Sequence, residues 1–162
     1  MSVEEATFDL HVHTCFSDGD MTPEEVVEEA NRLGLEGIAI TDHDEIAGVE
    51  PAIEKGKSLG VEVVPGVELS TYEGKSDIHI LGYLIDIHHE SLLNYLKIFR
   101  EARLKRGIEI VNRLRKMGVN LEVDSVLEIA GGGAVGRPHI AEALVRNGYV
   151  ETFEEAFTRF IG

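Results

Sequence analysis

The sequence predicts an α/β protein, with strands and helices alternating in its first half and helices alone in its second half. Three observations support this fold class. Apolar and polar residues alternate along residues 7–13, apolar runs recur at 37–41 and 61–65, and helix-like segments separate these runs. Strands that alternate with helices indicate parallel β/α units, arranged either as a barrel or as an open sheet.

Local signals justify the elements of the first half. The segment Thr22-Pro23-Glu24-Glu25 is typical of a helix start, with a capping threonine, proline at the first position and glutamate at the third. Gly34 is expected to end this helix. A second helix is expected over residues 46–59 and a fourth strand over residues 78–83. We therefore expect four strands within the first 90 residues.

The pattern changes near residue 90, where strand-like segments stop. Ser91 is expected to cap a long helix that is rich in Arg, Lys and Glu and that ends before Gly118. We predict two parts, a β/α portion over residues 1–90 and a helical subdomain over residues 91–162. Four strands cannot close a β/α barrel, which needs about eight, so these residues have the features of part of a larger fold. Further short helices are expected over 122–130, 137–147 and 152–160.

Composition excludes several classes of function. The chain has 162 residues and a formal net charge of −15, which argues against a stable complex with nucleic acid. A site built from carboxylates would account for part of that charge, because bound divalent ions reverse its local sign. No apolar run approaches the ~20 residues of a membrane helix, and the acidic start Met1–Glu5 lacks a signal peptide's apolar region. The lone Cys15 suits a reducing cytoplasm.

Each predicted strand is expected to end in a residue that can bind metal, and His43, Glu68 and His79 are all placed at strand ends. His11 and His13 lie two residues apart in a strand, so their side chains share one face. Ligands in parallel β/α folds collect at the carboxyl ends of strands, so residues far apart in sequence are expected to converge. Histidine and carboxylate ligands without cysteine suit Zn, Mn or Fe. The pair His88-His89 is assigned to the surface. The candidate ligands are His11, His13, Asp18, His43, Glu68 and His79.

Several acidic residues near these ligands have more than one interpretation. Asp18 could cap the turn Asp18-Gly19-Asp20, which its residue types suit. Asp42 and Asp44 could cap the next helix. Asp9, Asp42 or Asp77 could instead accept hydrogen bonds from ligating imidazoles and so fix their orientation. The residues alone leave these alternatives open.

Five motifs together resemble a known family, the polymerase and histidinol phosphatase (PHP) domain. They occur in the expected order and spacing, and the resemblance covers nearly the whole chain. It implies a distorted seven-stranded β/α barrel with up to three divalent metal ions, of which these residues form the N-terminal part with a helical insertion. The motifs are Asp9–Thr14, Ser17–Gly19, Thr41–Asp44, Gly66–Glu68 and His79–Tyr83.

The resemblance also implies a role for each metal ligand. His11 and His13 would hold one metal ion. Glu68 would bridge that ion to a second one bound by His79. The remaining two candidates would hold a third ion, so the implied site is a cluster rather than a single metal.

The two remaining candidates, which would hold the third ion, are Asp18 and His43. In the segment 136–141, the resemblance further implies that Arg137 and His139 face the phosphate of a substrate. An ordinary helix start, with proline near its first position, accounts for the same segment equally well. Both interpretations of this segment stay open at the level of sequence.

Within the PHP superfamily, the helical region and residues 136–141 look most like the stand-alone, TrpH-like metal-dependent phosphoesterases. These act on nucleoside 3′,5′-bisphosphates and short oligonucleotide 5′ ends. The resemblance implies hydrolysis of a phosphomonoester or phosphodiester by water that divalent ions activate. We expect a small phosphorylated substrate, no membrane association and a possible homo-oligomer. A histidinol phosphatase is the alternative substrate assignment, and a hydrolase of C–N bonds is a distant third.

The sequence departs from the family pattern at its late motifs. PHP enzymes also use a histidine in an Ala-His-Pro context and a final Asp-x-His, and neither occurs here. The only histidine after residue 89 is His139. We therefore expect either that further chain completes the site or that these residues form an inactive metal-binding module that supports a partner. Exposed sheet edges would make such a module prone to association.

Overall fold

The computed structural model describes residues 7–74 and 76–162, apart from the side chains of Tyr72 and Asp77. The acidic start Met1–Glu5 and the suggested role of the Asp77 side chain therefore lie outside the described residues. The strands are β1 (Phe8–Val12), β2 (Gly37–Ile40), β3 (Glu62–Glu73) and β4 (Ser76–Tyr83). The helices are α1 (Pro23–Leu33), α2 (Val49–Leu59), α3 (Glu90–Lys116), α4 (Val123–Ala130), α5 (Arg137–Arg146) and α6 (Phe153–Ala156), which continues as the π-helical segment Phe157–Ile161.

The four strands form one sheet in chain order, β1-β2-β3-β4, with β1 and β4 at its edges. β1 pairs with β2, and β2 with β3, in parallel, as β/α units require. β3 and β4 are antiparallel, so the expectation of a fourth parallel strand is wrong. The reason is the short connection through Gly74, whose φ of 65° makes a tight turn, because parallel strands need a long crossover.

The helix signals of the first half are confirmed in detail. The Thr22 hydroxyl accepts a hydrogen bond from the Glu25 backbone N–H, and the Glu25 carboxylate accepts one from the Thr22 N–H. Gly34 ends α1 with φ of 75°, a conformation that side chains with a Cβ rarely adopt. The predicted cap of the long helix at Ser91 is wrong. That helix begins at Glu90, and His89 occupies the capping position.

Two hydrophobic cores hold the fold together. The first lies between the sheet and helices α1 and α2, and Leu96 of α3 packs into it. The second lies among the later helices, and Val111 and Leu114 of α3 belong to it. The long helix α3 therefore contributes to both cores. The division at residues 90 and 91 stays a prediction, since one helix spans the junction.

Within the part of the chain that the structure describes, no helix has the length and apolar character needed to cross a membrane.

Candidate metal centre

The carboxylate of Glu68 lies at the centre of a cluster of histidines. Glu68 Oε2 is 2.7 Å from His11 Nε2 and 2.8 Å from His13 Nε2. Its other oxygen, Oε1, is 2.5 Å from His79 Nδ1. The Glu68 side chain is only 4% exposed, whereas His11 and His79 are 51% and 39% exposed. The cluster thus has a buried carboxylate at its base and accessible imidazoles at its rim.

Three strands position these side chains. The β1–β2 register shifts between Asp9 and Val12, yet His11 and His13 still reach the same Glu68 oxygen. His79 lies within β4, opposite Ser70 of β3, and not at a carboxyl end as the sequence suggested. The antiparallel pairing places His79 beside Glu68, because Glu68 pairs with Leu81, which is two residues from His79 on the same face of β4. The prediction that these ligands converge is confirmed, although His79 reaches the cluster from within β4 and not from the end of a strand.

His43 joins the cluster through the backbone. Glu68 N–H donates to the Asp42 carbonyl at 3.1 Å, and Asp44 N–H donates to the Glu68 carbonyl at 3.0 Å. His43 and Glu68 therefore lie side by side as in a parallel sheet. His43 Nδ1 is buried and has no hydrogen-bond partner among the described residues, and it lies 3.7 Å from Glu68 Oε2. An unpartnered buried nitrogen is costly unless something binds it, so the site fits a metal ion.

Asp18 extends the cluster on the side of His13. Asp18 Oδ1 is 2.6 Å from His13 Nδ1, and Asp18 Oδ2 is 3.6 Å from His43 Nε2. The turn that carries Asp18 is closed by the Gly19 N–H, which donates to the Thr14 carbonyl at 3.0 Å. Asp18 thus belongs to a turn and also faces the histidines, so its two interpretations are compatible.

The six candidate ligands form three overlapping groups, and within each group the potential ligand atoms lie within 4.8 Å of one another. A neutral imidazole has only one nitrogen lone pair available, so a histidine shared by two groups completes one of them at a time. His13 and His43 are both shared. The described residues can therefore complete two of the three groups at once. The groups are His11–His13–Glu68, His13–Asp18–His43 and His43–Glu68–His79.

Charge within the cluster shifts several pKa values. Burial alone would raise the pKa of Asp18, but the hydrogen bond from His13 and the nearby charges of His43 and His13 lower it to about 2. Burial lowers the pKa of His43 to about 4, and the charge of Arg103 acts in the same direction. Burial would also lower the pKa of His13, but its contacts with Asp18 outweigh burial and raise it. Ionised carboxylates and a neutral His43 are the forms that bind metal.

Asp42 organises the neighbouring loop rather than an imidazole. Its carboxylate is fully buried and accepts hydrogen bonds from the Thr14 N–H at 2.7 Å, the Thr14 hydroxyl at 2.7 Å and the Ser17 hydroxyl at 2.5 Å. Burial raises the pKa of Asp42, which those hydrogen bonds offset only in part. The suggestion that Asp42 orients a ligating histidine or caps α2 is wrong. Asp9 likewise accepts from the His11 backbone N–H, at 3.2 Å.

A cavity of about 160 Å³ opens beside the cluster. Asp18, His43 and His79 line it on the metal side. Three arginines line it elsewhere, namely Arg103 and Arg106 of α3 and Arg137 at the start of α5. Arginine recognises phosphate through paired N–H groups, so the cavity combines candidate metal ligands with groups suited to an anion.

The chain matches the PHP domain family over residues 9–159. It belongs to that family. The resemblance inferred from five motifs is thereby confirmed, as is the α/β fold class. The PHP match extends through the helical region as well as the strands.

Relatives with assigned activities are similar along most of the chain. The 5′-3′ exoribonuclease Rnm of Salmonella typhimurium is 38% identical over 156 residues, which cover 95% of this chain and 53% of that protein. The 3′,5′-nucleoside bisphosphate phosphatase of Chromobacterium violaceum is 32% identical, and the match covers 96% of this chain and 55% of that protein. The chain therefore spans about half the length of these PHP relatives.

A solved PHP structure agrees with this fold. The crystal structure of a protein assigned as a metal-dependent phosphoesterase, from Bifidobacterium adolescentis, superposes with a TM-score of 0.90 at 36% identity. The superposition covers 98% of this chain and 56% of the other. These relatives are hydrolases of phosphate esters by name.

The two residues predicted to face a substrate phosphate lie in different places. Arg137 lines the cavity beside the metal cluster. His139 is buried, and its Nδ1 accepts a hydrogen bond from the Gly136 N–H at 2.9 Å, which caps the start of α5. His139 lines a separate cavity with Cys15 and Glu142. The roles predicted for Arg137 and His139 stay predictions, and the present contacts of His139 are those of a helix cap.

Sequence reasoning missed Arg103 and Arg106. Both come from α3, whose composition alone indicates only a charged helix. The sequence feature that could have indicated them is an arginine at every third position, which places cations along one side of a helix. These arginines are Arg100, Arg103 and Arg106. That pattern is common on solvated helices, so it identifies no site until the helix is known to pack beside the cluster.

Proposed function

We propose that this chain is the metal-binding part of a phosphoesterase that hydrolyses phosphate esters of nucleotides. One observation carries the proposal. A buried carboxylate, Glu68, contacts imidazoles from two other strands, while a fourth imidazole presents the unpartnered His43 Nδ1 to the same space. Such a donor set suits Mn, Fe or Zn, and we expect two ions on these residues and up to three with further chain.

In this proposal, the carboxylates and histidines of the cluster hold cations, and arginines of the cavity hold the substrate. When bound, divalent ions would lower the pKa of a water molecule and offset charge on a phosphate. Glu68 belongs to two groups of candidate ligands and would contribute a carboxylate oxygen to each. Asp18 would add negative charge, since its lowered pKa keeps it ionised. Arg106 and Arg137 in the cavity would hold the phosphate oxygens beside the cluster.

A nucleotide substrate is supported by the residues that line a neighbouring cavity. A second cavity, of about 450 Å³, adjoins the first and shares Arg106 and Arg137 with it. Arg113 and Phe160 also line this second cavity. Cations next to an aromatic ring suit a second phosphate and a base, as single-stranded nucleic acids require. A nucleoside bisphosphate or a short 5′-phosphorylated oligonucleotide would use more of these groups than histidinol phosphate, which carries one phosphate and a smaller imidazole ring in place of a nucleobase.

The cytoplasmic location and the possible homo-oligomer stay predictions. The competing function, an inactive module that supports a partner, also stays open, because the family's late motifs do not occur in these residues.

Metal content is the first test. We would purify the chain without chelator, reload it with Mn²⁺, and measure bound metal by elemental analysis for the wild type and for His11→Ala. The proposal predicts two ions per chain in the wild type and fewer in the variant. Metal-free protein in both cases, even after reloading, would contradict the metal site.

Hydrolysis is the second test. The reloaded chain would be assayed for phosphate release from adenosine 3′,5′-bisphosphate, a 5′-phosphorylated trinucleotide and histidinol phosphate. We expect turnover of the first two to exceed that of the third. Metal binding without turnover of any of them would show that these residues alone do not form a complete active site.

A further inference from the structure

Two consecutive buried carboxylates follow His43. Asp44 is fully buried, and Glu45 is only 4% exposed. Each forms an ion pair with an arginine from α3, Asp44 with Arg103 and Glu45 with Arg100. The two arginines are three residues apart and so lie on one side of α3. The helix is therefore joined at two points to the loop that carries His43.

Each carboxylate also holds backbone in place. Asp44 Oδ1 accepts a hydrogen bond from the Ser70 N–H at 2.9 Å, and Glu45 Oε1 accepts from the Ile46 N–H at 2.8 Å. Asp44 has a φ of 53°, which is uncommon for a residue with a Cβ. A strained residue persists only where its surroundings hold it, and Asp44 is held by the ion pair with Arg103 and by two hydrogen bonds to β3, one with Glu68 and one with Ser70.

Arg103 contacts two elements at once. Its Nε donates to Asp44, and its Nη2 donates to the Ser70 hydroxyl at 2.5 Å. Asp44 directly follows His43, and Ser70 comes two residues after Glu68 on the same strand face. The Arg103 guanidinium therefore lies between the segment that carries His43 and the segment that carries Glu68.

We propose that Arg103 is a positioning residue for the metal site, in that it fixes His43 against Glu68 by joining Asp44 to Ser70. This inference rests on the proposed metal-binding function. It also gives the helical region a role beyond lining the cavity, because α3 then sets the geometry of ligands that lie in the β/α part. Lysine cannot replace this arginine, because a single ammonium cannot reproduce a planar fork that donates in two directions.

A four-protein cycle tests the proposal. Mn²⁺ affinity would be measured by calorimetric titration of chelator-treated wild type, Arg103→Lys, His43→Ala and the double variant. If Arg103 acts through His43, Arg103→Lys lowers the affinity of one site at least tenfold in the wild-type background. It changes affinity less than twofold when His43 is already absent. Equal losses in both backgrounds, or no loss in either, would overturn the proposal.

The matched control is Arg32→Lys, which alters an arginine whose ion pair with Glu29 is exposed and lies on α1. It should change Mn²⁺ affinity less than twofold.

A second measurement keeps the inference testable if the chain proves to bind no metal or if a variant is unstable. Imidazole ¹⁵N–¹H spectra of the metal-free protein report the environment of each histidine. Arg103→Lys should move the His43 resonances and leave those of the exposed His88 and His89 in place. An unchanged His43 signal would refute the positioning role. Absence of metal binding in the wild type would instead refute the proposed function, so the two failures are distinguishable.

Discussion

Replacing Asp42 with alanine should destabilise the protein by about 3–6 kcal/mol. The carboxylate accepts three hydrogen bonds from Thr14 and Ser17, which are themselves fully or almost fully buried. Each buried donor left without a partner costs about 1–3 kcal/mol, and water entering the gap would recover part of the sum. A domain of this kind is stable by only about 5–15 kcal/mol, so the loss is a large fraction of the total.

Asp42→Asn is the matched control. Its amide oxygen can still accept from the Thr14 N–H and the Ser17 hydroxyl, and its NH₂ can donate to the Thr14 hydroxyl after that group rotates. We expect a loss of about 1–2 kcal/mol, the lower end of the range for altering such bonds. Urea unfolding followed by circular dichroism would measure both variants, and with a slope of about 2 kcal/mol/M the alanine midpoint should fall by about 2 M. An alanine variant that loses less than about 1 kcal/mol, or no more than the asparagine variant, would refute the reasoning.

Other variants test the cluster and the two cores. Glu68→Gln should remove at least half of the bound Mn²⁺ measured by elemental analysis, because this carboxylate belongs to two ligand groups, while Glu62→Gln at an exposed position of β3 should retain all of it. Gly133→Ala should cost about 1–3 kcal/mol in urea unfolding, since its Cβ would lie 2.5 Å from the Phe16 carbonyl oxygen; an unchanged midpoint would contradict the close approach. Leu144→Ala should lower the free energy of unfolding by about 2–5 kcal/mol, because the side chain is fully buried in the second core. If α3 couples the two cores, fluorescence and circular dichroism should report the same single unfolding transition. Two separated transitions would show that the cores unfold independently.

Local chemistry is the reason that much of the fold was predictable. The threonine cap, the proline and the glycine stop of α1 act within a few residues, so the sequence displays them directly. The direction of β4 was not predictable from strand patterning, because alternation is the same in parallel and antiparallel strands. The decisive signal was the short connection at Gly74, and the extension of β3 beyond Pro65 concealed how short it is.

The residues of the candidate site were predictable from the sequence, but their arrangement in space was not. Residue types and strand positions identified the histidines and Glu68, since ordinary strands rarely carry so many imidazoles near their ends. Nothing in the sequence shows that Glu68 is buried at the centre, because that depends on the pairing of β3 with both neighbours. The arginine pairs of α3 were also hidden, because a contact across 59 residues leaves no local pattern. The contacts of Asp42 with Thr14 and Ser17 were hidden for the same reason.

The order of the strands in the sheet, which matches their order along the chain, bears on how the molecule assembles during synthesis. Each strand pairs with the strand made just before it, so the connection between two partners contains at most one helix. The ribosome adds about 5–20 residues per second, whereas a hairpin forms in about 1–10 μs. His11 and His13 are therefore synthesised seconds before Glu68 and His79. Glu68 and His79 come together once the β3–β4 hairpin has formed. The four ligands are then together before α3 has emerged to add its arginine contacts with Asp44 and Glu45.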